Sequence, residues 1–460
     1  MIPAKPTATF GIVACLLVAA LLSRPAQAAE TDRLISLEHA YDLALATDQS
    51  IRIAFHEVRK ADLLPWSALT RIGPRLNGRA TSGRSERATT ATGQPIETTG
   101  GTLATSSVER TARARAGTSA LGITLEQPLI DFTVFPAHRF GKLSAAAARW
   151  QHQFTIRGIL FGVAGAYYDV LRQERLVAVN RETLRLAGQQ LEFAQKRAGV
   201  GEVTRADVLR AQVAVETARR TLVESENLLE FHRNTLGNIL NLAPNTAYRV
   251  VEPPDYPTTL PPFDDLLAQA GAHREDLRVK AIAIEQDIAR RGQVIGEYAP
   301  RVTAQFDSAR AHTSGTAAQS NYDWQATVAV SVPFFTGGQR EIDLRTANEQ
   351  IAQTKLAREQ AAKSVESEVK LAWLTVRSLQ QTLKALHAQV VAAEQGYHDL
   401  EIQYREGTAT SVDVLSALND LNTARKDLAV ETYAYQVALR NLEQVAGVFQ
   451  QARVERSKTK

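Results

Sequence analysis

Two stretches decide how this chain reads: "GEVTRADVL" at residues 201–209 and, 206 residues further on, "GTATSVDVL" at 407–415. Each sets a glycine, then a threonine, then Asp-Val-Leu at one spacing. Thr204 with Asp207, and Thr410 with Asp413, fit the capping box, in which a hydroxyl at the helix start and an acid three residues on satisfy free backbone amides. Gly201 and Gly407 supply the positive φ that ends a preceding helix. Both stretches therefore predict the tip of a helical pair, and turn chemistry alone accounts for either aspartate taken singly.

The flanking windows support long helices. No proline occurs from Ala137 to Ala243 or from Phe334 to the C-terminus, whereas prolines crowd into 244–262. Downstream of the second tip a heptad runs through Val414, Leu421, Leu428, Tyr435, Leu442 and Phe449, with Ala417, Ala424, Glu431, Ala438 and Val445 three residues later. The first half repeats it with Val208, Val215, Leu222, Leu229 and Leu236, and with Ala211, Ala218, Ser225, His232 and Ile239. Large side chains at one seam position and small ones at the other predict closely packed coiled-coil neighbours. Upstream, 137–198 and 339–406 read as single helices, each on the order of 90–100 Å long at 1.5 Å per residue.

The two halves are a duplicated unit. "RIGPRLNGRA" at 71–80 answers "EYAPRVTAQF" at 297–306, and "LGITLEQP" ending at Pro128 answers "ATVAVSVP" ending at Pro333. Tyr168 and Trp373 follow those prolines at an equal distance of 40 residues. The chain divides into a leader at 1–28, a first repeat at 29–243, a Pro-rich linker at 244–262, a second repeat at 263–450 and a polar tail at 451–460.

Each repeat carries two segments with period-two alternation, predicting strands at about 71–84, 117–131, 297–311 and 321–335. In the last, Trp324, Ala326, Val328, Val330 and Val332 share one face and Gln325, Thr327, Ala329 and Ser331 the other. Apolar-out, polar-in strands of about ten residues suit a membrane barrel, and a half-buried soluble sheet is the alternative. Four strands cannot close a barrel, so the membrane reading requires several chains. Residues 81–117 and 308–321 read as solvent-facing hairpin loops. A solvated basic loop is the simpler account of Arg84, Arg87, Arg110, Arg113 and Arg115, contact with lipid phosphates the other.

Composition narrows the function. The balance of 53 basic against 49 acidic residues gives no general argument for nucleic-acid binding. Lys5, an apolar run from Phe10 to Leu22 and the small-x-small Ala26-Gln27-Ala28 predict a signal peptide removed near Ala28, hence export. Cys15, the one cysteine, lies inside that run, so the mature chain forms no disulfide; lipid anchoring through Cys15 is the minority alternative. The nine histidines are scattered, and no phosphate-binding loop or nucleophile elbow occurs. No enzyme, cofactor or metal is expected.

The segment "YREGTATSVDVLSALNDLNTARKDLAVETYAYQVALRNLEQVAGV", 404–448, resembles the last helical pair of the TolC-type outer-membrane efflux proteins, and the likeness extends over essentially the mature chain from "SLEHAYDLALATDQSI" at 36–51. That resemblance implies a mainly α fold with membrane β: a homotrimer in which four strands per chain form one twelve-stranded barrel and the helices a periplasmic tunnel. It further implies an outer-membrane exit duct of a Gram-negative bacterium for small toxic molecules, working with a periplasmic membrane-fusion adaptor protein and an inner-membrane pump of RND or ABC type. Type I protein secretion is the alternative within transport, and a periplasmic coiled-coil scaffold the alternative outside it. By position, the adaptor-contact tips are Val200, Gly201, Glu202, Val203 and Thr204, and Glu406, Gly407, Thr408, Ala409 and Thr410. The gate residues are Asp413, Asp207 and Tyr404, the last two as a tyrosine–aspartate contact. Two departures stand out: Ala409 where the best-known member has an arginine, and Ser416 where it has a second gate aspartate.

Overall fold

A computed structural model of the protein describes residues 33–92, 109–243, 246–254, 259–315 and 318–456. The expected signal peptide, with Cys15 and Ala28, lies outside them, as does part of the Pro-rich linker. In chain order the elements are β1 (Arg33–Ile35), α1 (Leu37–Thr47), α2 (Gln49–Asp62), α3 (Leu64–Leu69), β2 (Arg75–Thr92), β3 (Glu109–Ile130), α4 (Val134–Gly199) and α5 (Arg205–Ile239). The second half supplies β4 (Tyr248–Val250), α6 (Phe263–His273), α7 (Glu275–Gly296), β5 (Arg301–Gly315), β6 (Gln319–Ser331), α8 (Gln339–Glu406), α9 (Ser411–Val445) and α10 (Gln451–Arg456). The chain divides into two compact units, one drawn from 1–47, 162–258 and 382–434, the other from 48–161, 259–381 and 435–460.

In the first unit the helical seams meet as the heptads require. Val215, Ala218, Val414, Leu418 and Leu421 are buried in one cluster with Ala187, Tyr397 and Tyr404. Tyr397 accepts a hydrogen bond from Gln190 (3.1 Å), giving a buried hydroxyl its partner. A short parallel pair, β1 with β4, lies within this unit. Tyr167 staples it: the one proton of its hydroxyl is within reach of the carbonyls of Ile35 (2.9 Å) and Val251 (2.5 Å), and the oxygen accepts from the Val251 amide (2.9 Å). The Tyr167 phenol, desolvated by burial, is pushed up to about 12.

In the second unit four strands form one antiparallel sheet in the order β2-β3-β5-β6. Register aligns Leu76 with Leu125, Leu125 with Phe306, and Phe306 with Ala326, while Asn77, Thr124, Asp307 and Gln325 line up on the other face. Directly opposed residues share a face, so the alternation of each strand adds across the sheet. Away from the sheet, Arg157 is buried and forks onto Glu275, also donating to the Phe449 carbonyl and to Gln451 (2.7 Å). This node fixes the C-terminal segment: the expected polar tail at 451–460 instead begins with α10, whose Val454 is buried.

The strands differ from expectation in extent. β2 continues to Thr92, β3 begins at Glu109, and β5 and β6 reach Gly315 and Gln319, so much of 81–117 and 308–321 is ladder and not loop. Paired backbone amides and carbonyls hold these extensions, with threonine favouring extended backbone, and no hydrophobic alternation marks them. Among the described residues one helix, α4, contains an apolar window long enough to cross a membrane, and half of that window is buried within the fold.

Candidate functional site

Two regions stand out, the helical tips of the first unit and the sheet face of the second. At the tips both predicted capping boxes form. Thr204 Oγ1 donates to Asp207 Oδ2 (2.7 Å) and accepts from the Asp207 amide (3.3 Å); the Thr204 amide donates to Asp207 Oδ2 (3.1 Å). The second tip repeats this with Thr410 and Asp413 at 2.6, 3.3 and 3.0 Å. Gly201 and Gly407 sit at φ 79° and 83°, the left-handed conformation that lets the Glu202 amide return to the Arg197 carbonyl (3.0 Å) and the Thr408 amide to that of Gln403 (2.9 Å).

The aspartates are otherwise unlike. Asp207 Oδ1 accepts from Ser411 of the second tip (2.8 Å) and faces Arg210 (3.4 Å), while Asp413 Oδ1 has no partner among the described residues. Both carboxyls lie below the usual aspartate range. For Asp207 the causes are the Thr204 and then the Ser411 hydroxyl; for Asp413 the Thr410 hydroxyl leads.

Tyr404 is buried among the helices of the two tips, and burial pushes its phenol up. The tyrosine–aspartate bond implied by the family resemblance is not made within this chain. The Tyr404 hydroxyl has no hydrogen-bond partner among the described residues, while Asp207 is engaged by Thr204, Ser411 and Arg210.

A guanidinium serves these tips although Ala409 occupies the expected arginine position. Arg197, on the last turn of α4, donates to the Tyr404 carbonyl (2.7 Å) and to Glu202 (2.8 Å), and lies 5.3 Å over the Tyr404 ring. It ties the first tip to the second. Sequence reading missed Arg197 and Ser411; the only signal was a basic residue in a helix's last turn, which carbonyl compensation already explains. Of the tip residues, Val200 projects into solvent while Ala409 packs against the buried cluster.

On the sheet, the apolar face is exposed. Leu76, Leu121, Ile123, Tyr322, Trp324, Val328 and Val330 all lie open, Trp324 at 65%. From Tyr322 to Val330 the band covers nine residues of β6, the length a strand needs to cross a hydrocarbon layer. Tyr322 and Trp324 mark one rim, and Phe132, Phe135, Phe334 and Phe335 lie exposed beyond the other, the arrangement of aromatic girdles. The polar face carries Asn77, Thr124, Gln305, Asp307 and Gln325, with Thr124 donating to Asp307 (2.8 Å). β2 and β6 each keep one unpaired edge, which hydrocarbon does not tolerate.

An exposed apolar sheet joined to long paired helices defines an outer-membrane channel protein with a helical extension. The family model of outer membrane efflux proteins matches residues 40–242 and 266–448, and the chain belongs to that family. Its relatives include the outer membrane protein TolC of Vibrio cholerae, 24% identical over 71% of this chain and 76% of that one. The alkaline protease secretion protein AprF of Pseudomonas aeruginosa is 23% identical over 72% and 70%. Among solved structures, the CmeC outer membrane channel of Campylobacter jejuni superimposes with a TM-score of 0.70 at 16% identity, covering 90% of this chain and 86% of that one. The protein is thus an outer-membrane exit duct, and the scaffold alternative falls.

Proposed function

We propose that three copies of the chain close their sheets into one twelve-stranded barrel and form a passive exit duct for a tripartite pump, with its gate at the helical tips. The open four-stranded sheet, apolar on one exposed face and unpaired at both edges, carries this reading. Its polar face lines the lumen, and the edges of β2 and β6 find partners in neighbouring copies. The duct performs no covalent chemistry; energy comes from an inner-membrane pump of RND or ABC type.

The tips, Val200–Thr204 and Glu406–Thr410, are the docking surface for a periplasmic membrane-fusion adaptor protein. Docking opens the duct only in so far as the adaptor binds the open tips more tightly than the closed ones. In this reading Asp413 is the residue that acts on the lumen, supported by a carboxylate oxygen that has no partner among the described residues. Small toxic molecules are the first substrate class; the similarity to AprF, a protease secretion protein, supports protein export as the second.

Electron microscopy of detergent-extracted protein tests the assembly: a hollow threefold particle is expected, and a monomer extracted without detergent would overturn it. Deletion separates the substrates. Raised drug susceptibility with an unchanged secretome marks efflux, and loss of a secreted protein marks secretion.

A further inference from the structure

The extended strands place the arginines that the sequence left in a loop. Opposed residues share a face, so Arg310, paired with Leu121 and Tyr322, stands on the apolar side at the rim of the band. Beyond it on that side come His312 beside Ser119, then Arg84 opposite Gly117, Arg115 opposite Glu86, and Arg113 opposite Ala88. All four arginines are exposed, and the single acid among them, Glu86, meets Arg115 at 3.5 Å with both side chains open to solvent. The opposite face is mixed: Arg75, Arg79, Arg87 and Arg301 alternate with Glu126, Asp307 and Asp323.

Every strand end at the phenylalanine rim leads to a helix, whereas the tyrosine–tryptophan rim leads to the hairpins. With the helices periplasmic, the arginine ladder stands over the outer leaflet. It climbs from the level of Ala80 to that of Ala88, roughly 26 Å along the strand and roughly 20 Å in height at the tilt of barrel strands. A single layer of phosphates covers a fraction of that height. A glycolipid with phosphates on its membrane-proximal sugars and further anionic groups above them matches it.

We propose that this outward ladder, Arg310, Arg84, Arg115 and Arg113, binds the phosphorylated headgroup of lipopolysaccharide through charge-assisted hydrogen bonds. Guanidinium forks suit phosphate oxygens, and from the level of Ala80 to that of Ala88 Glu86 is the one acid on this side among the described residues, which leaves the ladder with net positive charge. The neighbouring Tyr322 and Trp324 rings lie where acyl chains meet headgroups. The lipid is thereby held as a collar around the duct.

The test uses full-length protein extracted in detergent, with bisphosphorylated lipid A, dephosphorylated lipid A and inorganic phosphate as probes, read by native mass spectrometry and melting temperature. Bisphosphorylated lipid A is expected to stay bound and raise the melting temperature, with dephosphorylated lipid A and phosphate ineffective. The variant R84S/R113S/R115S/R310S should bind about tenfold more weakly, the size expected of four exposed ion pairs lost together. The inner-face variant R75S/R79S/R87S should bind as the unaltered chain does. Equal binding of both lipid A forms, unchanged binding in the outward variant, or an equal loss in the inner variant overturns the proposal. Should the outward variant fail to fold, the two lipid A forms on the unaltered chain decide alone. The inference rests on the membrane reading: a protein that needs no detergent sinks both, whereas a detergent-soluble trimer indifferent to lipid phosphate sinks only this one.

Discussion

The two helical tips use the same turn and then part. In both, a threonine hydroxyl and an aspartate close a capping box behind a glycine of positive φ. At the first tip the aspartate's other oxygen is engaged across the gap by Ser411, whereas at the second, Asp413 keeps that oxygen free among the described residues. The second tip contributes a buried ring, Tyr404, and the first the guanidinium that covers it, Arg197. Repetition therefore fixed the backbone of the turn, and divergence set the side-chain contacts apart: the first aspartate is held from across the gap and the second is not.

The largest effect should come from breaking the hold. Tyr404→Ala empties a buried aromatic site and should cost about 3–5 kcal/mol of local stability, while Tyr404→Phe, which removes a hydroxyl without a partner, should cost close to nothing. Hydrogen exchange in the tip amides measures both; a large cost for the phenylalanine would show that the assembly gives the hydroxyl a partner. Next, Arg197→Ala removes the bond to the Tyr404 carbonyl and should cost about 2–3 kcal/mol, read as faster protease nicking at both tips. Nicking confined to the first tip would show that the guanidinium does not couple them. Smaller again, Thr204→Ala and Thr410→Ala should each cost about 1 kcal/mol and agree closely, because the caps are alike. A wide gap in the exchange rates would break the likeness of the two turns.

Acid should have the mildest effect. A lowered carboxyl contributes stability that is present above the ordinary aspartate value near ~4 and is lost as pH falls through the lowered one. In a single chain both tips should thus keep their exchange protection from neutral pH to about 4 and lose it below. Three Asp413 side chains near one axis would repel, and that repulsion raises some of their pKa values. In the assembled duct, cation selectivity and second-tip protection, which report the same Asp413 carboxylates, should then decline together at a higher pH than first-tip protection does. Coincident midpoints for the two tips would place the Asp413 carboxylates too far apart to interact.

The long helices and their caps were legible because each signal is local: proline exclusion, heptad period and a three-residue capping pattern all act within a few turns. α4 and α8 begin and end within three residues of expectation. The strands were legible only where side chains alternate, and their extension to Thr92 and from Glu109 rests on backbone pairing that Arg, Ser and Thr do not advertise. The parallel pair of β1 and β4 joins three-residue segments far apart in sequence, too short for any periodicity. Arg197 reaching the Tyr404 carbonyl is a contact 207 residues apart in the chain, which no spacing rule contains. The expected tyrosine–aspartate contact is not a hydrogen bond within the chain: among the described residues Asp207 is engaged by Thr204, Ser411 and Arg210, and the Ser411 contact, like that of Arg197, joins residues far apart in sequence.

The most direct test of the gate is block of single-channel current by a multivalent cation added on the helical side of a planar bilayer. The unaltered duct should be blocked, Asp413→Asn should relieve the block, and Asp207→Asn should leave it in place. Block unchanged in Asp413→Asn would contradict the account and leave both aspartates as caps of two helical turns.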